Sequence, residues 1–189
     1  MLKIVGGKHR GRAIATPEGE KTRPTSSRAR EALFNILAHA NWAGDGTSPL
    51  IEARVLDAFA GSGALGLEAL SRGAAHATFL DSDPTAIKLI GENLRKLGET
   101  ASAKVIRADA TQPPPSREGC DLAFLDPPYR SGLAAPALTA LADARWLKPG
   151  AIATVELAND EELITPPRFE AIDERRYGAA KIVILRCPP

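Results

Sequence analysis

The chain has 189 residues, 44% of them hydrophobic and 25% charged, which suits one compact domain with at most a small appendage. That usage excludes disorder and collagen-like repeats, and no apolar run approaches the ~18 residues of a membrane span. The net charge of +1 hides an asymmetry: residues 1–30 carry eight Lys/Arg against two acidic residues, and residues 31–189 carry sixteen against twenty-one. A basic arm on a mildly acidic body suggests a polyanionic partner for the arm. The start, Met1–Arg12, has no apolar signal core, so a cytoplasmic location is expected. Cys120 and Cys187 form no Cys-x-x-Cys pair, so neither a disulfide framework nor a metal site is expected.

In chain order, Leu2–Val5, Gly6-Gly7 and Arg12–Thr16 predict a short hairpin with a basic turn. Thr25, Ser26 and Ser27 offer caps for a helix to about His39, with Ala29, Leu33, Ile36 and Leu37 on one face and Arg28, Arg30 and Glu31 mostly off it. From about residue 51 strands and helices alternate. Strands are expected at Val55–Phe59, Ala77–Leu80, Lys104–Arg107, Leu122–Leu125 and Ala151–Leu157, and helices at Ala64–Arg72, Pro84–Leu97 and Leu133–Ala142. Phe169–Ile172 and Lys181–Leu185, joined near Gly178, close the chain as an antiparallel pair. The alternation argues for an α/β fold, a parallel sheet covered on both faces.

The most informative stretch is Val55–Gly66, in which Asp57, Phe59, Gly61, Gly63 and Gly66 surround a strand-to-helix turn. Gly61 and Gly63 let a ligand approach the backbone, and the helix start offers free N–H groups. Asp81 ends the next strand, twenty residues after Gly61, where a carboxylate can bind ribose hydroxyls. Taken alone, the glycine pattern fits a dinucleotide equally, so an NAD-dependent oxidoreductase is an alternative. Two features favour a different cofactor. Asp57 can face an amino or, through water, a sulfonium group, which a pyrophosphate would not reward. Only about 120 residues follow the turn, too few for a separate substrate domain. Asp109, after the third strand, can accept from an adenine amine.

The fourth strand runs into Asp126-Pro127-Pro128-Tyr129. Ligands of open α/β sheets lie outside the carboxyl ends of the strands, which sets this loop beside the glycine turn. Two prolines make it rigid and leave outward carbonyls. Asp126 and a proline carbonyl can accept from one NH₂ group, and Tyr129 can stack on a flat ring. That constellation suits methyl transfer to an aromatic amine, with guanine N2 or adenine N6 as candidate targets. A non-catalytic RNA-binding assembly factor would not require it.

These motifs resemble those of class I S-adenosylmethionine-dependent methyltransferases. Ile4–Arg12, Arg23-Pro24-Thr25, Arg28–Leu37 and Gly61–Arg72 extend the likeness over nearly the whole chain. On them the chain resembles the bacterial 16S ribosomal RNA (guanine(966)-N(2))-methyltransferase family. The resemblance implies a Rossmann-like, mostly parallel seven-stranded sheet with an antiparallel last strand. It implies an RNA-binding extension over residues 1–40, a transferase domain over 41–189, and methylation of one guanine N2 in 16S rRNA of the small subunit. It also implies S-adenosylmethionine held by Asp57, Phe59, Gly61, Ser62, Gly63, Asp81, Ser82, Asp109 and Ala110, with Arg23 and Thr25 folding over cofactor or base. Asp126, Pro127, Pro128 and Tyr129 form the catalytic loop. Relatives often carry Glu where this chain has Asp81, so Asp83 is a candidate to share the ribose contact. Lys8, Arg10 and Arg12 are expected to meet RNA from an exposed hairpin tip on which the body's fold does not depend.

Overall fold

The computed structural model describes residues 2–17, 24–40, 42 and 48–187. β1 (Leu2–Lys3) and β2 (Ala13–Ile14) form the expected antiparallel hairpin, shorter than anticipated because a 3-10 turn at Gly7–His9 takes up part of the connection. α1 spans Pro24–His39. It starts at Pro24 rather than after the Thr25–Ser27 caps, since proline's fixed φ and missing N–H suit a first helical position. Arg30 departs from the sequence expectation: it is buried, not off the packed face.

β3 (Arg54–Ala58), α2 (Ala64–Ser71), β4 (His76–Asp81), α3 (Pro84–Leu97), β5 (Ala103–Arg107), β6 (Cys120–Leu125), α4 (Ala134–Asp143), β7 (Leu147–Ala158), β8 (Glu170–Tyr177) and β9 (Ala180–Arg186) follow. The sheet order is β5-β4-β3-β6-β7-β9-β8, with β9 antiparallel to both neighbours and the other paired strands parallel. Two strands outrun their expected bounds by about four residues or more. β7 begins before the Pro149-Gly150 pair, with a register shift opposite Cys120/Leu122. β8 continues through Asp173–Arg176, which read as loop. Charged side chains suit this edge strand, where they discourage pairing with another chain.

Residues alternate between the two faces of the sheet. Val55, Phe79, Phe124 and Ile184 join one core, and Leu56, Leu80, Leu125 and Leu185 the other. α1, α2 and α3 cover the first face and α4 the second. Leu2, Ile4 and Ile14 of the hairpin belong to the first core, so the N-terminal segment shares its apolar packing with the sheet. Gly7 allows this close approach: its φ is +73°, and a Cβ there would lie 1.8 Å from the Ser71 carbonyl oxygen. Among the described residues no helix is long and apolar enough to cross a membrane.

Candidate active site at the carboxyl ends of the strands

β5, β4, β3 and β6 are parallel neighbours, so the segments leaving them emerge along one edge. Backbone hydrogen bonds tie the exits together. Ala60 N–H donates to the Leu80 carbonyl (3.1 Å), Ala108 N–H to that of Asp81 (3.0 Å) and Asp126 N–H to that of Ala58 (3.4 Å). The structure therefore gathers the glycine turn, Asp81-Ser82, Asp109-Ala110 and Asp126–Tyr129 at one edge, as the sequence suggested.

The chain bends at Phe59, whose φ of +62° is rare for a non-glycine residue and marks a constrained site. Gly61 and Gly63 continue the bend at +54° and +78°, and Gly63 caps α2. A Cβ at Gly61 would have nothing within 4 Å, so the turn faces open space. A Cβ at Gly66 would fall 2.4 Å from the Phe79 ring, so α2 lies on β4 only because residue 66 has no side chain. Beneath the turn, Asp57 is 1% exposed and accepts a hydrogen bond from Gly66 N–H at 2.8 Å. One carboxylate oxygen thus serves the turn itself.

Burial pushes the Asp57 carboxyl up to about 8. A raised native pKa gives stability that is complete below the unfolded value, near 4, and lost as pH rises through about 8. Asp57→Asn cannot ionise and keeps an acceptor for Gly66. It is expected to flatten the stability loss between pH 5 and pH 8 in thermal melts; an equal loss in wild type and variant would contradict this.

Asp81 accepts from Gly61 N–H (2.8 Å) and, with its other oxygen, from Asp83 N–H (2.9 Å). Asp83 is turned to other work, accepting from Thr85 N–H (2.8 Å) as the cap of α3. Ser82 is exposed at the β4 exit. Asp109 is exposed and takes both the N–H and the hydroxyl of Thr111, at 2.8 and 2.7 Å; Ala110 is buried beside it. In the β6 exit Asp126 and Pro128 are exposed, Pro127 is buried, and Tyr129 is half-buried with its hydroxyl donating to Glu156 on β7 (2.8 Å). Arg23 lies outside the described residues. Thr25 falls in the first turn of α1, and its side chain is outside them too.

The basic tip is not the free arm the sequence suggested. Glu99, beyond α3, is 4% exposed and receives both Lys8 Nζ (2.7 Å) and His9 Nε2 (2.5 Å). Burial pushes this carboxyl up, but the hydrogen bonds from Lys8 and His9 outweigh it and leave it below its usual range. Arg12 donates to the Leu97 carbonyl (3.3 Å) and to that of Lys96, meeting the negative end of the α3 dipole. Lys8 and Arg12 thus clasp the hairpin to the body, and both remain exposed, as does Arg10. The tip contacts the body at Glu99 and at the end of α3.

Three further residues escaped the sequence reading. Glu68 on α2, fully buried, accepts from Val5 and Gly6 N–H (2.8 Å each). Asn93 on α3, 1% exposed, bonds Ala15 N–H (2.8 Å) and donates to the Ser62 carbonyl (3.0 Å), joining hairpin to glycine turn. Glu156 holds Tyr129. Each is a polar residue inside a core-facing run, the one signal that could have marked it. Among the described residues no group of His, Cys, Asp and Glu could hold a metal ion.

Strand order, reversed β9, glycine turn and acidic second strand end together define a class I methyltransferase fold. The family model for conserved hypothetical protein 95 matches residues 2–186. Ribosomal RNA small subunit methyltransferase D from Haemophilus influenzae is 38% identical over 182 residues, 94% of this chain and 89% of its own length. The Escherichia coli protein of that name is 38% identical over 169 residues, 88% of this chain and 80% of its own. The solved structure of the candidate methyltransferase yhhF from Escherichia coli superposes with a TM-score of 0.81 at 34% identity, covering 99% of this chain and 98% of that one. The chain belongs to this family, that of the ribosomal RNA small subunit methyltransferases D.

Proposed function

We propose that the chain transfers a methyl group from S-adenosylmethionine to the exocyclic N2 of one guanine in 16S rRNA of the small ribosomal subunit. The relatives' names support rRNA methylation. The observation that carries the choice of an exocyclic amine is the Asp126 exit, bonded through its N–H to Ala58, the last residue before the glycine turn.

The residues fit the cofactor. The turn faces open space at Gly61, and Asp81 stands beside it with its carboxylate at the strand end. S-adenosylmethionine, when bound, supplies a methyl group on a cationic sulfur. Asp81 is the proposed ribose ligand and Asp109 the proposed adenine ligand, with Phe59, Ser62, Ser82 and Ala110 lining the site and Asp57 supporting the turn. Asp81→Ala is expected to weaken S-adenosylmethionine binding by about 1–3 kcal/mol through lost charge-assisted hydrogen bonds. Asp83→Ala should instead cost stability, about 1 kcal/mol for a lost helix cap, with affinity near wild type. Calorimetry giving the reverse order would move the ribose contact to Asp83.

A guanine N2 amine is a poor nucleophile because its lone pair is delocalised into the ring. Asp126 and a proline carbonyl of the loop accept hydrogen bonds from its two N–H groups and return electron density to nitrogen. Tyr129 stacks on the base and, with the prolines, holds it in line with the S–CH₃ bond. With S-adenosylmethionine bound, transfer of its methyl group would leave S-adenosylhomocysteine and put positive charge on nitrogen, which Asp126 would stabilise. The methylated nitrogen then loses its proton without a dedicated strong base. Residues 1–40 form the RNA-facing extension and residues 41–189 the transferase body; the exposed Lys8, Arg10 and Arg12 are the proposed phosphate contacts, and Lys8 and Arg12 also hold the extension in place. Mass mapping of 16S rRNA from a strain lacking the gene tests the reading: one N2-methylguanosine should vanish, and an unchanged modification map would overturn it.

A further inference from the structure

β7 is almost entirely apolar between Ala151 and Ala158, and Glu156 interrupts it. Burial pushes this carboxyl up, against the hydrogen bond from Tyr129 and the charge of Arg30. A carboxylate is costly in such a place unless partnered, and two observations show where it is used. Leu125 of β6 is in register with Val155, so Glu156 lies level with the point where the Asp126–Tyr129 loop leaves the sheet. Its Oε1 accepts the Tyr129 hydroxyl at 2.8 Å.

The second charge comes from the N-terminal extension. Arg30 on α1 is 6% exposed, and its Nη2 donates to the Lys3 carbonyl of β1 at 2.9 Å, while its Nε has no hydrogen-bond partner among the described residues. The buried guanidinium feels the negative charges of Glu68 and Glu156. Hydrogen bonds therefore join β1 to Arg30 and, separately, Glu156 to the ring of Tyr129.

We propose that Glu156 is a positioning residue for methyl transfer, fixing the Tyr129 ring against the target base. This rests on the reading of Asp126–Tyr129 as the base-binding loop. A ring anchored at its hydroxyl cannot swing with its neighbours, and a base stacked on it keeps its amine aligned; a small misalignment of the amine slows transfer steeply. Glu156 touches neither base nor cofactor, so its loss should appear in RNA turnover and not in cofactor affinity.

The test uses the full-length enzyme on small subunits from a strain lacking the gene. Tyr129→Phe keeps the ring and removes the donor. Glu156→Ala removes the acceptor, and Glu156→Gln retains one. Tyr129→Phe and Glu156→Ala should each lower kcat/KM for small subunits by roughly 5–20-fold, and the double variant should lose no more than the worse single, because both break one contact. Glu156→Gln should recover most of the activity, and S-adenosylhomocysteine affinity by calorimetry should stay within twofold throughout. Tyr129→Phe within twofold of wild type overturns the proposal, even if Glu156→Ala fails to fold. So do losses that multiply in the double variant. A wild-type enzyme inactive on small subunits overturns the reading of the loop itself, and an active wild type with unaffected variants overturns this inference alone.

Discussion

Asp126→Ala is expected to lower turnover by roughly 10²-fold or more, as loss of a preorganised charge acceptor does, while S-adenosylmethionine affinity stays near wild type. Asp126 begins the loop after β6, with its N–H on the Ala58 carbonyl and the buried Pro127 behind it. The backbone thus presents an exposed carboxylate from a fixed point and spends little reorganisation when charge reaches the nitrogen. Asp81 and the glycine turn belong to other strands, so the cofactor contacts survive the substitution. Single-turnover methylation with a parallel cofactor titration checks both halves. Turnover within a few-fold of wild type would remove Asp126 from the chemistry, and a matching loss of cofactor affinity would make it a cofactor ligand instead.

The second large effect is on stability. Glu68 is fully buried and accepts from Val5 N–H, Gly6 N–H and Arg72 Nε, the last at 2.7 Å. Arg72 also lies over the Phe34 ring, 5.2 Å from its centroid. Glu68→Ala would leave a guanidinium and two backbone donors without their acceptor beneath the hairpin. Breaking a buried ion pair in this way costs about 3–5 kcal/mol, which lowers the melting temperature by roughly 10 °C in a domain of this size. The hairpin should also become open to proteolysis, because its anchor on α2 is gone. A melting temperature within 2 °C of wild type would show that Leu2, Ile4 and Ile14 hold the hairpin without it.

The sheet was legible because its strands carry β-branched and apolar runs that end at a glycine turn, at Asp81 and at Asp126, and because α3 announces both ends with Asp83-Pro84 and Gly98. The gathering of the candidate site follows from that alternation, since parallel strands deliver their exits to one edge. Local pattern says nothing of what lies opposite a side chain. Arg30 reads as a solvent-facing cation on α1, yet tertiary packing buries it against β1, where it donates to the Lys3 carbonyl. Lys8 and Arg12 read as a free basic tip, yet they also bind Glu99 and the last carbonyls of α3, more than eighty residues away. Gly6-Gly7 reads as a turn, and its tighter demand, contact with Ser71 and Arg72, comes from a helix the hairpin meets only after folding. Likewise β8 hid behind Asp173–Arg176, because an edge strand needs apolar residues on one face at most.

The most direct measurement is methyl transfer by the purified enzyme to small subunits from a strain lacking the gene, with isotopically labelled S-adenosylmethionine, followed by nuclease digestion and mass spectrometry of the labelled nucleoside. The account predicts label in N2-methylguanosine, at one molecule per subunit and at a single position of 16S rRNA. Label in N6-methyladenosine, or no transfer from an enzyme shown to bind the cofactor, would contradict it.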